Sequence, residues 1–177
     1  MVLVLALDTA TSYLVLGLPH AERAIRLGRR HAEVLWGELE VFLHQAGVGL
    51  GELEGIAVGR GPGSYTGLRV GIAAGLGLAR GLGVPVTGVE TLEATALRYQ
   101  GRVTVAQTTR NGLCYAAGYR IVGAKLETLQ APHRNRLDEL HPTGLFVLDQ
   151  PPSGRALAHL GIASLQAGRT LIEPLYL

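Results

Sequence analysis

Residues 64–82 place the tightest constraint on what this chain can become. Apart from Arg69 and Arg80 the segment is apolar or small on every side, and a helix of that composition must be covered all round. Gly63, Gly67, Gly71 and Gly75 recur every four residues, so on a helix they form one face that another backbone can approach closely. Each interior glycine costs about 1 kcal/mol relative to alanine, and tight packing is the compensation. Ser64 is placed to cap the helix. The turn Gly59-Arg60-Gly61-Pro62-Gly63 feeds it from a short buried strand at residues 56–58. The most apolar run, residues 70–79, is about half the ~20 residues needed to cross a bilayer.

The remaining pattern is that of an α/β protein. Residues 2–7 are a continuous apolar run, the signature of a strand buried on both faces. Asp8-Thr9-Ala10-Thr11-Ser12 supplies a turn, and strands at 13–18 and 23–27 complete a meander. Residues 31–46 read as a helix with Leu35, Leu39, Phe42, Leu43 and Ala46 on one stripe and Gly47 at the stop position. Val34, Trp36 and Val41 widen that stripe beyond what one sheet contact requires. A strand at 85–88 and a helix at 91–99 capped by Thr91 lead to a lobe boundary at Gln100-Gly101. Beyond it, strands at 103–108 and 113–119 flank Asn111-Gly112, a strong hairpin signal. Residues 124–143 are mixed, with a helical turn expected around 137–140. A strand at 145–148, a helix at about 154–166 and an extended tail at 173–177, apolar enough to dock, close the chain. The expected organisation is a first lobe, 1–100, and a reduced second lobe, 101–177.

Composition narrows the function. With 177 residues and 47% hydrophobic content there is ample core for one folded unit and no case for disorder. A formal net charge of +2 is too small for a dedicated nucleic-acid surface, although fifteen of the basic residues are Arg, so any RNA contact must be local or shared with a partner. Cys114 is the single cysteine, which excludes an intrachain disulfide and suits a reducing cytoplasm. The first residues lack a basic region and cleavage site, so they read as a strand and not a signal peptide.

Two turns are candidate anion sites. Asp8, Thr9 and Thr11 could hold a phosphate through backbone N–H groups and hydroxyls, or form a turn that satisfies its own backbone. The stretch 59–67 sits where a helix dipole favours an anion, or is simply a tight turn into a closely packed helix. It is neither a Walker A loop nor a complete Gly-x-Gly-x-x-Gly fingerprint. Asp8 is the only Asp before Asp138, so the first lobe offers no paired Asp for acid–base work. Six histidines contain no His-x-x-x-His pair, Ser64 lacks a nucleophile elbow, and no protein metal site is expected. His31 at the first helix start is expected to cap it or meet a partner.

Leu-Ala-Leu-Asp8-Thr9-Ala10-Thr11-Ser12, His31-Ala32-Glu33, the block from Gly59 to Gly71 and Gly88-Val89-Glu90-Thr91-Leu92 together resemble the bacterial TsaB (YeaZ) family over residues 1 to about 100. Arg110, Gly112, Tyr115 and the closing Glu173-Pro174-Leu175-Tyr176-Leu177 extend the resemblance. It implies an actin/Hsp70/sugar-kinase-like (ribonuclease H-like) fold with a mixed sheet and helices. It implies a noncatalytic scaffold and activator of a TsaD transferase, acting with a TsaE-type ATPase in tRNA N6-threonylcarbamoyladenosine modification. The family pairs its first two helices with those of TsaD, or of a second copy, in a four-helix bundle. On that basis Leu35, Leu39, Phe42, Gly67, Leu68, Gly71, Ile72, Gly75 and Leu76 are the expected interface. Thr108 stands where the family usually has Asp, removing a carboxylate from the interlobe cleft. The chain is expected to need no cofactor, with ATP or ADP at most a weak ligand of Asp8, Thr9 and Thr11. The alternatives are a nucleotide-binding enzyme of the same fold, either an ATP-dependent transferase or a peptidase, and a direct tRNA binder.

Overall fold

The computed structural model describes residues 2–28 and 30–177; the expected role of His31 falls on a side chain outside the described residues. Five strands form the first sheet: β1 (Val4–Asp8), β2 (Tyr13–Leu18), β3 (Ala21–Arg26), β4 (Gly55–Gly59) and β5 (Val86–Val89). Their order is β3-β2-β1-β4-β5. The meander β1–β2–β3 is antiparallel, and β1–β4 and β4–β5 are parallel. Successive side chains of β1 go to opposite faces. Leu5 and Leu7 meet α1 (His31–Ala46) through Leu35, Leu39 and Phe42 and share their cluster with Ala74 and Ala79 of α2 (Tyr65–Leu82), whereas Val4 and Ala6 meet α4 (Gly154–Gln166) through Leu157 and Ala158. Helices on both faces are the reason β1 needs an unbroken apolar run.

A second sheet has the order β8-β7-β6-β9, built from β6 (Gly101–Thr108), β7 (Leu113–Val122), β8 (Lys125–Arg136) and β9 (Leu145–Leu148). Asn111 and Gly112 both take positive φ in the β6–β7 turn, as that dipeptide favours. The short helix α3 (Thr91–Ala96) covers one face of this sheet, with Leu92 and Ala96 against Val103, Val105, Tyr119 and Ile121. Part of the other face lies under Leu137 and Leu140, which pack on Ala106, Cys114 and Ala116.

Three expectations change. Residues 125–136 form a strand of 12 residues, hidden in the sequence because Pro132 and two register shifts break the alternation; it is an edge strand, where proline is tolerated. Residues 101–177 are not one body, since α4 returns to the first sheet. Its start is held by Glu22 of β3, whose carboxylate accepts from the Ser153 hydroxyl at 2.8 Å and the Arg155 N–H at 3.1 Å. Burial pushes the Glu22 carboxyl up, but these bonds with Arg98 and Arg155 bring it below its ordinary value.

The third change concerns the expected interface. Leu35, Leu39, Phe42 and Leu68 are buried within the chain. A Cβ at Gly67 or Gly71 would overlap Thr9, and one at Gly75 would overlap Val58. These seven residues therefore seat α1 and α2 on the sheet and on the β1–β2 turn, while Ile72 is half-buried and Leu76 is exposed. Gly77, two residues beyond Gly75, has nothing within 4 Å of a built Cβ. We therefore expect opposite outcomes in urea denaturation of the free chain, diluted until it is monomeric. Gly77→Ala should stabilise by up to about 1 kcal/mol through helix propensity. Gly75→Ala should destabilise by about 1–3 kcal/mol through overpacking. Equal effects at both positions would show that α2 does not sit on β4 as described.

Candidate functional site

The turn after β1 is the first candidate, and its polar atoms are already engaged. Asp8 and Thr9 are buried and Thr11 nearly so. One Asp8 carboxylate oxygen accepts from the Ala10 N–H at 2.8 Å, and the other from the Thr91 hydroxyl at 2.7 Å. The Thr9 hydroxyl donates to the Gly67 carbonyl at 2.6 Å, and the Thr11 oxygen accepts from the Tyr13 N–H at 3.1 Å. The Ser64 N–H donates to the Ala10 carbonyl at 2.7 Å, and a Cβ at Gly59 would overlap the Asp8 carboxylate. Through these bonds Asp8, Thr9 and Thr11 fasten the glycine turn and the start of α2 to the sheet. Ser64 caps α2, accepting from the Gly67 N–H at 3.2 Å. Thr91 departs from its expected role: Glu90 is the residue before α3, and the Thr91 hydroxyl instead accepts from the Gly61 N–H at 3.2 Å while donating to Asp8.

A second cluster joins the two sheets. Tyr119 of β7 donates its hydroxyl to Glu90, just before α3, and Arg60 lies 4.0 Å from the other Glu90 oxygen. Burial pushes the Glu90 carboxyl up, against the pull of the Tyr119 hydrogen bond and Arg60. Burial also raises Glu93, with Glu90 adding to it and Arg60 and Arg169 opposing. Tyr119 is held far above its ordinary value by burial and by the neighbouring Glu90. The tail docks on the same turn: the Leu175 N–H donates to the Arg60 carbonyl at 2.7 Å, and the Tyr176 ring lies 5.3 Å from that of Tyr65. Among the described residues no group of three or more His, Cys, Asp or Glu is placed to hold a metal ion, and no helix is long and apolar enough to cross a membrane.

The third candidate is the side of α1 and α2 turned away from the sheet. Trp36 is 53% exposed, Leu76 47% and Val41 43%. Ala73, Gly77 and Gly81 line the outward side of α2 with almost no side-chain relief. Trp36, Leu39, Leu43, Val48, Leu50 and Leu78, with Glu40 and His44, line a mainly apolar groove of about 450 Å³ beside α1. Trp36 and Val41 were signalled in the sequence by the overwide stripe, whereas Ala73 and Gly77 were hidden behind the more regular glycine series.

A sheet of order β3-β2-β1-β4-β5 with a meander at one side, helices on both faces and a smaller second sheet define the ribonuclease H-like class of bilobed proteins. The family model described as TsaD, tRNA N6-adenosine threonylcarbamoyltransferase, matches residues 26–161. An uncharacterised Mycobacterium leprae protein is 37% identical over 129 residues, covering 68% of this chain and 36% of that one. The tRNA threonylcarbamoyladenosine biosynthesis protein TsaB of Escherichia coli is 36% identical over 129 residues, covering 66% and 54% of the two chains. The solved structure of YeaZ from Pseudomonas aeruginosa superposes over the whole of both chains with a TM-score of 0.87 at 26% identity. The chain belongs to the TsaD family, in its TsaB (YeaZ) branch. It spans between 36% and 54% of the length of the two curated relatives.

The sign of the Glu90 shift yields a test. A carboxyl raised by folding holds its proton more tightly in the folded state, so its contribution to stability declines as pH rises through the raised pKa. Glu90→Gln keeps an acceptor for Tyr119 without the charge. We expect the variant to melt above the wild type at pH 8, by about 2–4 °C per kcal/mol gained, and the two melting curves to converge near pH 4. A variant that melts below the wild type at pH 8 would show that the Arg60 contact outweighs burial.

Proposed function

We propose that this chain is a noncatalytic scaffold and activator in tRNA N6-threonylcarbamoyladenosine formation, docking a TsaD-type catalytic paralogue through the outward side of α1 and α2. The observation that carries this reading is the apolar, nearly flat strip of Trp36, Val41, Ala73, Leu76 and Gly77 next to the groove beside α1. Small residues let a partner helix approach closely, and exposed large apolar residues flanking them supply the burial. Two helices presented side by side complement two helices of a partner, which gives a four-helix arrangement. The same strip serves a second copy of this chain, so homodimer and mixed complex compete for one face. A TsaE-type ATPase and tRNA join through the assembled complex. The alternative, an ATP-dependent transferase or peptidase, has less support because the oxygens of Asp8, Thr9 and Thr11 are engaged inside the chain.

The test is association measured by titration calorimetry with the TsaD-type paralogue of the same organism. Trp36→Glu and Leu76→Glu each place a charge on the strip without touching the sheet. We expect each to weaken binding about 30-fold or more, the loss of one central anchor of about 2 kcal/mol, with a far-ultraviolet circular-dichroism spectrum like that of the wild type. Wild-type affinity in both variants would remove this face from the interface.

A further inference from the structure

We propose that the uncovered half of the second sheet binds a single strand of RNA, with Arg102 and Arg120 on phosphate and Phe146 against a base. Val103 and Val105 of β6, Tyr119 and Ile121 of β7 and Val147 of β9 point into the core under α3. By the alternation of strands, Arg102, Arg120, Val122 and Phe146 point to the opposite face. Arg102 lies directly across from Arg120, Thr104 from Gly118, and Phe146 from Thr104. Lys125 faces Val122 and Glu127 faces Arg120 on the neighbouring edge strand. This half of the face thus carries three cations and one carboxylate, and Phe146 is 40% exposed beside them.

The rest of the face is closed. Leu137 and Leu140 cover Ala106, Cys114 and Ala116, and the cover ends where the Thr104 hydroxyl donates to the Thr143 carbonyl at 3.0 Å. Thr104 and Gly118 are themselves buried, Thr104 under Thr143 and Gly118 beside Gln130, and the side chains that stand exposed around them are Arg102, Arg120 and Phe146. Like charges placed opposite each other across an antiparallel pair destabilise it, and neither Arg102 nor Arg120 forms an ion pair among the described residues. Glu127, across from Arg120 on its other side, offsets part of that repulsion, and a bound polyanion relieves the rest. Phosphates meet guanidinium forks well, and an exposed ring among cations on a sheet is a stacking platform for an unpaired base. An acidic peptide would answer the cations but leave Phe146 without a planar partner, which favours a nucleic acid. The choice of RNA rests on the family reading, in which RNA is the modified substrate.

Fluorescence anisotropy of a labelled single-stranded RNA oligonucleotide and of a tRNA transcript, titrated with the full chain at two salt concentrations, tests this. We expect binding that weakens as salt rises, weakens at least about tenfold in Arg102→Glu, and weakens about fivefold or more in Phe146→Ala. Arg102→Glu also replaces a like-charge pair by an opposite one, so its melting temperature should equal or exceed that of the wild type; loss of binding is then not loss of fold. Absence of RNA binding at low salt overturns the proposal. So does binding unaltered in both variants, or polyglutamate binding as tight as RNA and indifferent to Phe146→Ala. Trp36→Glu separates this inference from the docking reading: it should lose the paralogue yet bind RNA like the wild type.

Discussion

The structure turns on the contact between the glycine face of α2 and the turn that follows β1. Gly67 and Gly71 lie so close to Thr9, and Gly75 to Val58, that no Cβ fits between them. This approach lets the Thr9 hydroxyl reach the Gly67 carbonyl and brings the Ser64 N–H to Ala10. Asp8 then finds Thr91, whose hydroxyl also takes the Gly61 N–H. Buried polar groups are stable only when they find such partners, so the helix, the glycine turn and α3 are fixed as one unit with β1 and β4.

Fixing one face of α2 to the sheet decides what remains for a partner. Apart from Arg69 and Arg80 the helix is apolar or small on every side, so most of its outward side stays apolar after folding, and Leu76 and Ala73 stand there beside the two arginines, with Trp36 and Val41 exposed on α1. The second sheet leaves a different residue, a half-covered face that is cationic instead of apolar. The two surfaces differ in chemistry, as docking a helical partner and holding a polyanion require. The Tyr119–Glu90–Arg60 chain ties the second sheet to the glycine turn, and the tail bonds to the Arg60 carbonyl of the same turn.

Much of this was legible in the sequence where local signals agree with tertiary demand. The ends of α1 follow the apolar stripe and Gly47, which adopts the left-handed conformation expected of a helix stop. Ser64 caps the helix it precedes, and Asn111-Gly112 makes its turn. Faces were less legible: a four-residue glycine period describes close approach without naming what approaches, and it suits β4 and Thr9 as well as another subunit. The phosphate reading of Asp8 failed to separate for the same reason, since the residues that hold an anion also satisfy a backbone turn. β8 escaped because an edge strand with Pro132 and two register shifts has no alternation to read.

Light scattering of the purified chain, alone and mixed with the TsaD-type paralogue of its own organism, with threonylcarbamoyl transfer to tRNA followed in the same samples, tests the scaffold role most directly. We expect a homodimer that gives way to a mixed complex, with transfer appearing only in the mixture. A chain that stays monomeric beside the paralogue, or that turns over substrate alone, would contradict it.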